Sequence, residues 1–124
     1  MSLSGVYRLK KSYQFNYVYR KGKTVGDDLL VLHYAKNNTG NPRIGLSVSK
    51  KYGKASARNL FKRRMRFAFA KLLPGLDRRY NYVLTPRVRA AQCQYNELYE
   101  SLKVLLERVE SDGMRTRKNE KSGG

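Results

Sequence analysis

The stretch "KKYGKASARNLFKRRMRFAFAKLL" carries the densest chemistry in the chain. At about 100° per residue, Asn59, Lys62, Arg63 and Arg66 fall on one side of a helix, with Arg58 at its border. No Asp or Glu is interleaved to relieve the repulsion between like charges at i, i+3 and i, i+4. Such a face suits a polyanion, with guanidinium and ammonium groups donating to phosphate oxygens. Groups for cutting a phosphodiester are scarce by comparison. Protein phosphodiesterases use clustered carboxylates or histidines around metals, or paired acid and base groups. Here Asp27 and Asp28 are merely adjacent, and would point to opposite sides of a strand. His33 is the only histidine and Cys93 the only cysteine. No catalytic residue and no metal ligand set is therefore expected in the protein.

The charge balance of the whole chain agrees. The 124 residues hold 27 Lys and Arg against nine Asp and Glu, a formal net charge of +18. This is well beyond the charge of magnitude about 2–8 that suits a small soluble domain, and nucleic acid is the commonest partner for such an excess. No acidic residue occurs between Asp28 and Asp77, so one continuous basic surface is expected, whereas Glu97, Glu100, Glu107 and Glu110 mark the later segment as a poor nucleic-acid face. No apolar run approaches the roughly 18 residues needed to span a bilayer, and the opening "MSLSGVYRLKK" lacks an apolar signal core. A cytoplasmic protein with no membrane partner is expected.

The elements that must position these residues read as helix, strand, strand, helix, strand, helix. Ser12 is a candidate N-cap and Gly22 a candidate left-handed stop for a first helix over 13–21. On it Phe15, Val18 and Tyr19 share one face, while Tyr13 and Tyr17 share another. "DDLLVLHYAK" reads as a strand with Leu30, Leu32 and Tyr34 on one side and Val31, His33 and Ala35 on the other. "NNTGNP" is expected to return the chain as a hairpin into the strand "RIGLSVSKK". A helix over 54–73 ends at Pro74-Gly75, with Phe61, Met65, Ala68, Phe69 and Leu72 as its buried stripe. "RRYNYVLTPR" gives the third strand. The last helix, over 94–109, has Tyr95, Leu98, Leu102, Leu105 and Val109 at helical spacing. Residues 1–110 form one domain, and residues 111–124 read as a basic disordered tail.

The motifs together resemble the bacterial ribonuclease P protein subunit. "RIGLSVSKKYGKASARNLFKRRMRFAF" is similar to that family's signature, with a GLSVSKK strand, a G-x-A turn and an Arg-Asn helix. "LKKSYQFNYVYRKGK" is similar to its first helix and "RRYNYVLTPR" to its last strand. The resemblance implies an α/β (α+β) two-layer sandwich in the order αβββαβα, with a four-stranded mixed sheet and a left-handed βαβ crossover around the basic helix. It implies an accessory subunit of a ribonucleoprotein endoribonuclease, in which an RNA subunit and its Mg²⁺ ions remove the 5′ leader of precursor tRNA. Its implied partners are that RNA and precursor tRNA, with no obligate protein partner. Lys50, Lys51, Lys54, Arg58, Asn59, Lys62, Arg63 and Arg66 match RNA-contacting positions. Phe15, Tyr19, Val31 and His33 match the cleft for the single-stranded leader. Ordinary core packing is the alternative for Phe15 and Tyr19, and a plain sheet position the alternative for His33. Leu60 stands where the family often has a second arginine, Lys54 where it often has asparagine, and Asp28 in a loop that is often basic. A general RNA-binding structural protein would share the charge but not the cleft. A DNA-binding protein would call for base-reading residues and a dimer interface.

Overall fold

The structure, a computed structural model, describes the backbone of residues 3–122 and the side chains of residues 3–111. Helix α1 spans Ser12–Lys21. Ser12 is its first helical residue rather than its cap. Gln14 Oε1 instead accepts hydrogen bonds from the Lys10 and Lys11 backbone N–H groups, at 2.8 and 2.9 Å. Gly22 does end the helix, with its N–H donating to the Val18 carbonyl at 2.9 Å, but its φ of −95° is not left-handed. Glycine is needed there for room. A Cβ would lie 2.4 Å from the Val18 carbonyl oxygen and 2.5 Å from that of Tyr34, both backbone atoms.

Four strands follow the order β1-β2-β4-β3. They are β1 at Lys23–Gly26, β2 at Leu30–Lys36, β3 at Ile44–Leu46 and β4 at Tyr80–Pro86. β2 pairs antiparallel with both β1 and β4, while β3 pairs parallel with β4. The expected hairpin between the second and third of these strands does not form, because β4 lies between them. β4 suits the centre, since Tyr80, Tyr82 and Leu84 are buried on one face and Val83 on the other. The turn after β2 crosses the start of β4 instead of folding back. The Asn37 side-chain amide donates to the carbonyls of Asn41 and Arg78 and to Asn81 Oδ1, which also accepts from the Arg43 N–H.

The parallel β3–β4 pair requires a crossover, which is supplied by α2 at Ala55–Leu72. Phe61, Met65, Ala68 and Phe69 of α2 are buried, with Leu72 packed at the rim. They meet Leu30, Leu32, Ile44 and Leu84 of the sheet and Leu98, Leu102, Leu105 and Val109 of α3 in one core. α3 runs over Tyr95–Ser122, past Ser111 where the tail is expected to begin. The tail's side chains from 112 onward, and residues 123–124 entirely, lie outside the described residues. α1 covers the other face of the sheet, where Val18 packs with Leu9, Ala35 and Val83. Three helices and a four-stranded mixed sheet thus form the α+β fold expected, but with helices on both faces of the sheet where two layers were expected, because Ala35 and Val83 give its second face an apolar patch that α1 covers.

Candidate nucleic-acid interface

The core stripe of α2 fixes which of its side chains reach solvent. Asn59 and Arg63 are exposed, and Arg58, Lys62 and Arg66 are half-buried at the edges of the same surface. Lys50 and Lys51 are exposed on a 3₁₀ turn just before the helix. That turn is held by Tyr52, whose buried ring sits 5.4 Å from the ring of Phe61. Lys54 is the exposed N-cap of α2. None of these cations meets a carboxylate of the described residues. The ion pairs among the described residues are Arg79–Asp77 at 2.7 Å and the solvent-exposed Arg89–Asp28 at 3.7 Å, both away from α2. Arg58 also has its Nε buried with no hydrogen-bond partner among the described residues. A buried, unpaired guanidinium donor is costly unless an outside acceptor reaches it.

The second site lies between α1 and the sheet. Phe15 packs partly buried against Leu9, Val18, Ala35 and Val83. It rests on β3 at Gly45, where a Cβ would meet the ring at 2.5 Å. Beyond Phe15 the helix stops covering the sheet: Ala35 and Val83 are buried, whereas Val31, His33 and Thr85 on the same face are only half-buried. Tyr19 stands over this apron, 42% exposed, with its ring edge-on to His33 at 5.0 Å and 89°. His33 Nδ1 and Thr24 Oγ1 share a hydrogen bond of 3.2 Å. Partial burial lowers the His33 pKa below its ordinary 6.5, so the imidazole is neutral at neutral pH. The structure therefore brings Tyr19 and His33 together, with Val31 two residues along the same strand face and Phe15 at the closed end. Tyr13 and Tyr17 lie outside this cleft. Tyr13 is exposed, and the Tyr17 hydroxyl donates to the Lys36 carbonyl.

Gly45 makes the position of Phe15 testable. Gly45→Ala should push the ring toward solvent and lower affinity for a single-stranded RNA leader several-fold, leaving binding through α2 unchanged, as read by titration with precursor tRNA. The His33 shift gives a second prediction. As pH falls through 6.5 the unfolded chain takes up a proton that the folded chain refuses, so stability declines until the lower folded pKa is reached. Denaturation midpoints measured on either side of pH 6.5 should show this loss in the wild type and a smaller one in His33→Gln.

Sequence reasoning placed none of Arg8, Arg64, Phe67 and Tyr95 in a site, and read Tyr95 only as part of the apolar stripe of the last helix. These residues line a groove of about 900 Å³ against α2 together with Leu60, Arg63 and Arg66. The legible signal was a third stripe on α2 at 60, 64 and 67, which its alternation of apolar and basic residues obscured.

A cationic helix and an open aromatic cleft on opposite layers of one small sheet define a basic α+β domain suited to holding polyanions. Residues 3–110 match the ribonuclease P family. The ribonuclease P protein component of Caldanaerobacter subterraneus subsp. tengcongensis is 38% identical over 82% of this chain and 88% of its own. An RNase P protein mutant from Staphylococcus aureus superimposes with a TM-score of 0.80 at 29% identity, over 85% of this chain and 89% of the other. The Thermotoga maritima RNase P protein gives 0.76 at 28% identity, over 82% and 96%. The chain belongs to the ribonuclease P protein family, whose members are components of the enzyme that processes tRNA 5′ ends.

Proposed function

We propose that this chain binds the ribonuclease P RNA through the α2 surface and receives the 5′ leader of precursor tRNA in the cleft between α1 and the sheet. The observation that carries this reading is the unpaired cationic face of α2, with the Arg58 Nε held buried and without a partner among the described residues. Lys50, Lys51, Lys54, Asn59, Lys62, Arg63 and Arg66 extend that face. In the cleft, Phe15, Tyr19, Val31 and His33 offer apolar and aromatic surface for unpaired bases, whose stacking is worth ~1–3 kcal/mol per base and tolerates any sequence. The neutral state of His33 suits a stacking partner rather than a phosphate ligand.

Phosphodiester hydrolysis is assigned to the RNA subunit and its Mg²⁺ ions, held mainly by RNA phosphates, in the cytoplasm. Two of the protein's carboxylates are committed to structural contacts. Asp27 accepts from Leu29, Leu30 and Ser101, and Asp77 is paired with Arg79. The protein contributes cationic charge and leader affinity, and by holding phosphates close it lowers the Mg²⁺ concentration that cleavage needs.

Cleavage of precursor tRNA by a bacterial ribonuclease P RNA at low Mg²⁺ tests the assignment. The wild-type protein should stimulate cleavage, and Phe15→Ala/Tyr19→Ala should assemble normally yet bind the leader roughly tenfold or more weakly. Tight RNA binding without stimulation would instead make the chain a general RNA binder.

A further inference from the structure

Two clefts meet at a pair of arginines, Arg66 of the α2 face and Arg8, which the function above leaves unexplained. Arg8 and Arg66 line both the groove of about 900 Å³, with Leu60, Phe67 and Tyr95, and a neighbouring cleft of about 430 Å³, with Leu9, Phe15 and Leu46. Leu3 is the other residue common to both. Arg8 is held there by the backbone. Its segment adds to the β3 edge through the Leu9 N–H donating to the Ile44 carbonyl at 2.9 Å, and Leu3 and Leu9 are buried on either side. Both arginines are half-buried, neither side chain has a hydrogen bond or ion pair among the described residues, and no carboxylate of the described residues lines either cleft. Burial chiefly, and to a lesser degree the charge of Arg8, lowers the Arg66 pKa from its ordinary value. An anion between them would remove the repulsion between the two charges. A phosphodiester has two non-bridging oxygens, one for each guanidinium.

The floor beside the pair is of another kind. Phe67 and Tyr95 sit with ring centroids 5.8 Å apart, Leu60 lines the same groove, and the Tyr95 hydroxyl is buried with no partner among the described residues. Apolar and aromatic surface next to an anion site fits a base and its own phosphate. A base held in a duplex could not reach such a floor.

We propose that Arg8 and Arg66 clamp one phosphate of bound RNA and that the unpaired base of that nucleotide lies against Leu60, Phe67 and Tyr95. The site rests on the RNA-binding reading given above. It adds the N-terminal segment and a third face of α2 to the interface.

Titration of the full chain at one fixed salt concentration tests it, first with a bacterial ribonuclease P RNA alone and then, as the assembled complex, with precursor tRNA bearing or lacking a leader. Arg8→Ala and Arg66→Ala should each weaken one of these affinities roughly tenfold, the size of one charge-assisted contact. The double variant should be little worse than either single, because the clamp acts as a unit. Arg8→Lys should not restore binding, since a point charge lacks the guanidinium fork. Loss in the first arm assigns the nucleotide to the RNA subunit, and loss confined to the leader-bearing substrate assigns it to the leader. Unchanged affinity in both arms, or strictly additive losses, would overturn the clamp. Phe67→Trp supplies a conservative reporter in a chain without tryptophan: its fluorescence should be quenched when the RNA binds, and an unquenched signal would overturn the base contact. Failure of the wild type to bind either RNA would overturn the underlying function instead.

Discussion

Replacing Arg58, Lys62 and Arg66 together with alanine is expected to lower affinity for ribonuclease P RNA by at least about a hundredfold while leaving the fold intact. Each side chain supplies a cation that no carboxylate of the described residues neutralises. A hydrogen bond to a charged group is worth about 1.5–3 kcal/mol, so even with substantial non-additivity three of them exceed the roughly 2.7 kcal/mol that a hundredfold represents. The salt dependence should change in parallel. Three lost phosphate contacts reduce the slope of log affinity against log salt by about 2–3. Stability should stay level or rise slightly, because the substitutions leave Phe61, Met65, Ala68 and Phe69 in place, relieve like-charge repulsion and remove the unpaired Arg58 Nε. A variant that melts like the wild type, binds RNA like the wild type and keeps its salt slope would show that another surface carries the interaction.

The cationic helix was legible because one period controls both its faces. The stripe Phe61, Met65, Ala68, Phe69 demands burial every three or four residues, and the arginines fall opposite by geometry alone. The sides of β2 were legible for the same reason, with period two in place of 3.6. Strand order was not. Alternation within a strand says which residues share a face but nothing of which strand lies beside it, and the loop "NNTGNP" suits a hairpin as well as a step across β4. What decides is the burial of β4 on both faces, a property of the assembled layers. The strand β1 escaped local reading for a different reason. "KTVG" is short and half-exposed and owes its strand form to pairing with Val31–Tyr34. Gly22 and Gly45 were similarly opaque, since both are required by atoms distant in sequence, the Tyr34 carbonyl and the Phe15 ring. In the candidate cleft, the pairing of Tyr19 with His33 needed α1 to be docked on β2. Resemblance to a family named these residues; their sequence spacing could not bring them together.

Asp27→Ala is expected to destabilise the fold by about 2–3 kcal/mol, through the loss of a partly buried hydrogen-bond network, and to lower the melting temperature by on the order of 10 °C. Asp27 and Asp28 are adjacent in sequence, yet their environments differ completely. Asp28 is exposed beside Arg89, where an ion pair contributes little. Asp27 is a staple. Its Oδ1 accepts from the Leu29 and Leu30 N–H groups, each at 2.9 Å, and its Oδ2 accepts from the buried Ser101 hydroxyl on α3. Its carbonyl accepts from Arg87 Nε at 2.7 Å, and the neighbouring Gly26 carbonyl accepts from Arg108 at 3.2 Å. The turn from β1 to β2 is thereby fastened to α3 and to the end of β4. Alanine would strand the hydroxyl and both amide donors, each needing a partner when removed from water. Partial burial pushes the Asp27 carboxyl up, but the hydrogen bonds from Ser101, Leu30 and Leu29 and the charge of Arg108 outweigh it and hold the pKa below 3.8. A carboxyl depressed in the folded state contributes stability that is fully present above its unfolded value and is lost as pH falls through the lower folded one. The gap in stability between wild type and Asp27→Ala should therefore be constant through neutral pH and shrink only below about pH 4. That window is well separated from the His33 transition. Ser101→Ala should cost less, about 1 kcal/mol, because it removes one bond and leaves the amide pair satisfied. Since α2 is untouched, both variants should bind ribonuclease P RNA normally below their melting transitions. An equal loss of RNA affinity and stability in Asp27→Ala would instead place this turn in the RNA interface.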